Sequence, residues 1–318
     1  MLKALKFVQG SVGKLGDENA LEHFQIRAGR VTGHNGVLAI SVPIALDMEC
    51  QPNAKQLIQA IVKCEDAASL TLMSSGKLKV ASGKFKAMVA CHPEDLPIPV
   101  PEGLRVQING DSLVKAFKTL VKFVGNDSSR PWSNGILLKQ QSAYATNNGA
   151  AVEYWLGQPM PFTVNVPLAA VKEIIRVGTP PVFAMATPKA ISFHYEDESW
   201  IRTATLSSEW PDMAMVLGRQ ANAIPFQEGF FEALDAVKPF VDALQRVHLL
   251  AGALGTTADG DATGAVYSVE GQEPGGVFQW AILDMLRGVA DKIDFSTYPK
   301  PCLFYGDQLR GAIMGMRG

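Results

Sequence analysis

The residues of this chain best placed to do chemistry are lysines. Over Ser112–Val124, at 100° per residue, Leu113, Phe117, Leu120, Val121 and Val124 gather on one helix face, and Lys115, Lys118 and Lys122 gather on the other. No carboxylate stands among the three. A solvated face usually mixes signs, because opposite charges three or four residues apart stabilise a helix and like charges repel. A face of lysine alone therefore points to a polyanion. The pattern recurs. Lys55 and Lys63 share a stripe with Gln59, opposite Leu57, Ile58 and Ile61. Lys172 and Arg176 oppose Leu168, Val171 and Ile175, and Lys3 and Lys6 mark the first helix. Lys238 and Arg287 share their helices with the acids Glu232, Asp235 and Asp284, and Glu173 lies to the side of the Lys172–Arg176 stripe. Lysine is a compact charge without the planar fork that reads base edges. Such faces suit sequence-independent contact with phosphates, and the near-absence of aromatics on them favours a duplex over a stacked single strand.

Other chemistry finds little support. There is no P-loop, no GxGxxG opening a helix, no HExxH and no Cys/His cluster at metal spacing. The five histidines are scattered, with His34 and His92 in turn-like surroundings. Asp259–Asp261 lacks the glycine and distal glutamate of a calcium loop and reads as a hairpin tip. No catalytic residue, metal or cofactor is expected. Cys50, Cys64, Cys91 and Cys302 show no CxxC pairing and read as free thiols in a reducing cytoplasm. A net charge of −2 excludes an all-over basic coat but allows positive charge to be concentrated in one place. No signal-peptide pattern and no apolar run near the roughly 18 residues of a membrane span are present, so neither is expected.

The elements that must carry these faces recur three times, which is looked for before motifs. Amphipathic helices are expected over Met1–Gln9, Ser112–Phe123 and Phe230–Leu244. Alternating hairpin segments turned on HNG, NNG or DGD follow, over His23–Ile40, Asn134–Tyr154 and Val247–Val269. Second helices come next, over Ala54–Cys64, Leu168–Val177 and Trp280–Ala290. Closing strands span Leu70–Ala90, Val182–Leu206 and Lys300–Arg317, with Lys77, Lys189 and Lys300 at matching places. Proline-rich seams at His92–Glu102 and Gly218–Pro225 fall between copies. An α+β chain of three similar domains follows, 1–100, 101–218 and 219–318.

With these residues in view, the sequence resembles the beta subunit of bacterial DNA polymerase III and its phage relatives, the DNA sliding clamps. The resemblance is carried by SRPWSNGILL, AYATNNG, PFTVNVPLAAVKEIIRVG and LSSEWPDM within Ser129–Met213, and by the terminal GAIMGMRG of Gly311–Gly318. It implies the clamp fold, with inward helices backed by outer antiparallel sheets. It also implies a homodimeric ring around double-stranded DNA, with no catalysis. The implied partners are a replicative polymerase and a clamp loader in a bacterial cytoplasm. A length of 318 residues leans toward a phage-encoded member. A partner-peptide pocket carries over to Ser133, Thr146, Pro211, Val216, Ile313, Met314, Met316 and Arg317. The dimer seam carries over to Ala87 and Val89 on one side and to Phe240 and Val241 on the other. Departures stand at Asn147–Ala150, where the family has D-G-H-R, at Ser133 for leucine and at Gly315 for proline. The competing readings are a two-domain trimeric processivity factor, an α+β enzyme with an unrecognised site, and a structural oligomer with incidental basic helices.

Overall fold

The structure is a computed structural model that describes residues 1–13, 19–65, 67–95, 97–206, 209–258 and 263–316. The Asp259–Asp261 tip and Arg317 lie outside the described residues. In the first third, helix α1 (Leu2–Val8) precedes strands β1 (Gln25–Arg27), β2 (Arg30–His34) and β3 (Leu38–Pro43). Helix α2 (Ala54–Val62) and strands β4 (Ser69–Leu72), β5 (Leu78–Ser82) and β6 (Phe85–Val89) follow. The middle stretch runs β7 (Leu104–Gln107), α3 (Gly110–Leu120), β8 (Gly135–Thr146), β9 (Ala150–Pro167), α4 (Leu168–Val177), β10 (Phe183–Ala186), β11 (Ala190–His194) and β12 (Trp200–Ala204). The last runs α5 (Ala214–Leu217), β13 (Ile224–Pro225), α6 (Phe230–Val237), β14 (Arg246–Leu250), β15 (Ala253–Gly255) and β16 (Val266–Ser268). It closes with β17 (Gly276–Gln279), α7 (Trp280–Asp284), β18 (Lys292–Ile293), β19 (Cys302–Gly306) and β20 (Leu309–Ile313).

Local chemistry sets the helix ends. The Asn53 side chain accepts from the Gln56 N–H and caps α2. Gly178, left-handed at φ 74°, closes α4 by returning its N–H to the Ile174 carbonyl. Two helices are shorter than their periodicity suggests. α6 stops at Val237, because Pro239 has no N–H to continue the ladder and the chain tightens into a 3₁₀ turn over Lys238–Phe240. α7 stops at Asp284 and gives way to turns, with Gly288 left-handed at φ 67°. α3 likewise tightens into a 3₁₀ turn over Val121–Phe123.

Four antiparallel sheets result. One has the order β1-β2-β3-β12-β11-β10-β7 and another β13-β18-β19-β20-β9-β8; the smaller two are β16-β15-β14-β17 and β4-β5-β6. In the first, β12 pairs with β3, placing Ile201 opposite Ile40. In the second, β20 pairs with β9, placing Gly311 opposite Val152. The chain forms two compact units, Met1–Val114 with Val166–Leu206, and Lys115–Asn165 with Ser207–Gly318. The first unit buries Leu5, Val8, Ile40, Leu57, Ile61, Val80, Ile174, Phe193 and Ile201. The second buries Leu120, Phe123, Val152, Phe230, Leu254, Phe278 and Phe304. Each such side chain contributes about 1.5–3 kcal/mol on leaving water. Gly311 is required where it stands, because a Cβ there would run into the Phe304 ring, which stacks on Phe123 at 6.3 Å.

Candidate nucleic-acid and partner interfaces

The basic helices present most of their lysines to solvent. In the first unit α1 buries Leu5 and Val8 and exposes Lys3 and Lys6. α2 buries Leu57, Ala60 and Ile61 and exposes Lys55, with Lys63 exposed just past its end. α4 buries Ala170, Val171 and Ile174 and exposes Lys172. Arg176 is engaged within the fold: it donates to the Lys6 and Phe7 carbonyls at 3.2 and 2.7 Å, and to Glu173 at 2.6 Å. Those carbonyls belong to the last turn of α1, which has no helical donors left for them. Arg176 thus caps one basic helix from another.

In the second unit Lys115 and Lys118 are exposed. Lys115 pairs with Asp307 at 2.8 Å, and this hydrogen bond raises its pKa. The pair is open to water and therefore exchangeable. Lys122 differs. The 3₁₀ turn rotates it off the helical face, half-buried, and it donates to the Arg287 carbonyl at 3.1 Å. Burial lowers its pKa. Of the nine cations expected to meet phosphate, Lys122 and Arg176 have structural duties, which helical spacing alone did not reveal.

The residues expected to bind a partner peptide lie in the second unit, around the end of the chain. Met314 N–H donates to the Gly149 carbonyl at 2.8 Å, Met316 N–H to Val277 at 2.7 Å, and the Tyr298 hydroxyl to the Met316 carbonyl at 2.6 Å. The terminal segment is thereby held beside the Thr146–Ala150 turn. That turn is satisfied internally. The Thr146 hydroxyl donates to Ala150 O at 2.6 Å and accepts from Asn148 N, and Asn147 Oδ1 accepts from Gly149 N and Ala150 N. Thr146 therefore shapes the turn and offers no free hydroxyl at a rim. Ser133 is fully buried, its hydroxyl on the Arg130 carbonyl at 2.9 Å. Arg130 in turn holds Asn148 Oδ1 at 2.6 Å.

Strand alternation sorts the terminal residues. Ala312 packs with Leu217 and Leu303, and Met213 and Val216 lie against them. Ile313 is fully buried one position on, which places it on the opposite face. Met314, just past the strand, is 44% exposed, and Met215 on α5 is 78% exposed. Pro211 is exposed, and beside it Trp210 meets Trp132 edge-on at 5.2 Å. Met215 and the tryptophan pair extend the set read from sequence. Each tryptophan adjoins a residue already singled out, Ser133 or Pro211, but their contact is visible only in the folded unit.

Each sheet ends in strands that no further strand pairs, and two of these edges lie beside exposed apolar side chains. In the first unit β6 borders β4-β5-β6, and between it and α2 runs a groove of about 630 Å³ lined by Ile58, Val62, Phe85, Ala87 and Met88. Met88 is 50% exposed, whereas Val89 is buried and forms the groove floor. In the second unit β16 is an edge strand, and Phe240, past the end of α6, is 58% exposed with Val241 half-buried. Unpaired strand edges and open apolar grooves are features that isolated proteins usually cover. Among the described residues no group of three or more metal-ligating side chains comes together, and no helix is long and apolar enough to cross a membrane.

No protein-family model and no curated protein sequence matches the chain. Solved structures match over its whole length. The beta sliding clamp of C. crescentus, with polyethylene glycol bound to a beta-motif tethering region, superposes with a TM-score of 0.85 at 19% identity, covering 100% of this chain and 97% of that one. The sliding clamp of Bacillus subtilis gives 0.83 at 16% identity with the same coverage. The DNA polymerase III beta subunit of Bartonella birtlesii, bound to griselimycin, gives 0.82 at 15% with the same coverage. The chain has the fold of the bacterial beta sliding clamps, as the sequence motifs led us to expect.

Proposed function

We propose that this chain is a non-catalytic DNA sliding clamp that closes around duplex DNA as a head-to-tail dimer and tethers a replicative polymerase. On this reading it has three domains, 1–100, 101–218 and 219–318, and a clamp loader places it on DNA in the bacterial cytoplasm. One observation carries the reading. Two sheets are each completed by strands from successive thirds of the chain, β12 on β3 and β20 on β9. The remaining strands of the same kinds, β6 and β16, are left as free edges. A heterologous contact that joins them between copies makes a closed ring if the rotation allows it.

The internal repeat supplies the register of that contact. Ala87 pairs with Val80 as Ile201 does with Phe193 and Gly311 with Phe304. Thr256 N–H bonds Ala265 O at 2.9 Å, where Gly33 pairs with Ile40 in the first third. Ile201 faces Ile40 and Gly311 faces Val152, so Ala87 of one copy should face Ala265 of another. With Ala87→Cys and Ala265→Cys in one chain, mild oxidation in the presence of nicked circular DNA should seal a ring around it. The complex should survive about 1 M salt, where the Debye length is about 3 Å, and be released when the circle is cut. Equal retention on linear and circular DNA would overturn encirclement.

Tethering rests on the terminal segment. Thioethers adapt to varied side chains, Met215 and Met314 stand exposed, and Val216 packs against the cluster of Leu217, Leu303 and Ala312. With Ala150 and Gly149 in place of the family's charge, the peptide bound here should rely on apolar anchors. Met314→Asp should leave assembly intact and weaken binding of such a peptide by about tenfold or more. Titration by fluorescence anisotropy reads this directly, and unchanged affinity would place the partner site elsewhere.

A further inference from the structure

We propose that Cys91 and Cys50 form a redox-modification site, in which Cys91 reacts first with low-molecular-weight disulfides and Cys50 resolves the adduct to an internal disulfide. Four cysteines are free in the structure, and these two alone are in contact. Cys50 sits in an antiparallel bridge with Ile26, exchanging both backbone hydrogen bonds with it at 3.0 and 2.8 Å. Cys91 sits in another with Pro52, and the neighbouring His92 N–H donates to the Gln51 carbonyl at 2.9 Å. Cys50 lies two residues from Pro52, so the two side chains share a face of this short ladder, and each thiol acts on the other's ionisation. Cys50 is buried, with the Met48 sulfur 3.9 Å away, while Cys91 is half-exposed.

The pair is asymmetric in the way a nucleophilic and a resolving thiol must be. Cys50 lowers the pKa of Cys91, which favours its thiolate. The same contact, with burial, pushes Cys50 up. Cys302 is buried and raised, and Cys64 bonds its own helix at the Ala60 carbonyl. The chemistry balances with a small disulfide as oxidant. The Cys91 thiolate attacks one sulfur of RSSR and releases RS⁻. Cys50 then gives up its proton and attacks Cys91 Sγ, expelling the second RS⁻, so that two thiols are oxidised and one RSSR is reduced to two RSH. The loop closed by this bond contains α2 and β4 to β6, both walls of the open groove.

The test is exposure of the whole protein to oxidised glutathione, followed by peptide mass mapping and thermal unfolding. A Cys50–Cys91 linkage should form before any change at Cys64 or Cys302, and the unfolding midpoint should rise by roughly 5 °C through the closed loop. Cys50→Ser, or Cys50→Ala should the serine fail to fold, should trap one glutathione on Cys91. Cys91→Ser should abolish both products. First modification at Cys64, or a glutathione adduct on Cys91 that never resolves in the unsubstituted chain, would overturn the proposal. None of these outcomes depends on whether the protein encircles DNA.

Discussion

Phe240→Glu should convert the protein from a particle of twice the 34.2 kDa chain mass to a monomer, with its fold intact. Phe240 follows a 3₁₀ turn rather than sitting in a core, and more than half of it is exposed in the single chain. An aromatic ring so displayed should dock in the groove between α2 and β6 of a second copy, on Ile58, Val62 and Ala87. The proposed seam would also join β6 to β16, and in the register derived above Phe85 would face Tyr267. Buried interface aromatics commonly cost 2–4 kcal/mol when removed, and a buried unpaired carboxylate adds more. Dissociation should strengthen by at least about 30-fold, from 2 kcal/mol alone. Light scattering over a concentration series reads the mass and circular dichroism checks the fold. A dimer that persists in this variant, or a trimer in the unsubstituted chain, would sink the seam as assigned.

Replacing Lys115 and Lys118 by glutamate should flatten the salt dependence of duplex binding and leave stability unchanged. Each phosphate that is no longer neutralised lowers the log–log slope by about 0.9, so two phosphates per chain remove about 1.8 and roughly 60-fold in affinity at 0.1 M salt. Both side chains are exposed, and the Lys115–Asp307 pair is open to solvent. Lys122→Gln should behave in the opposite way. Its ammonium serves the Arg287 carbonyl in a half-buried position, so the loss should appear in urea unfolding while the slope stays fixed. A slope that falls equally for all three would mean that helical periodicity, and not the folded environment, describes the binding face.

Much of this protein was legible in its sequence because short-range physics set it. The lysine stripes opposite apolar stripes placed Leu57 and Ile61, Val171, and Leu113 and Phe117 in cores, and placed Lys55, Lys118 and Lys172 outside. The boundaries of α4 were readable from Pro167 and Gly178, since a missing N–H and a left-handed glycine act within one turn. Hairpins turned on HNG and NNG stood where alternation put them. What was not legible depended on partners distant in the chain. Arg176 caps α1 from 169 residues away, and Lys122 meets a carbonyl 165 residues on, so neither duty leaves a trace in local spacing. The Cys50–Cys91 contact is of the same kind, because two thiols without CxxC spacing become neighbours only when β6 runs back beside the lead-in to α2. Sequence determined the helix faces and the strand alternation, which are properties of neighbouring residues. Tertiary structure alone decided which cations remain free and what lies beside each open strand edge, because both are settled by what the rest of the chain brings alongside.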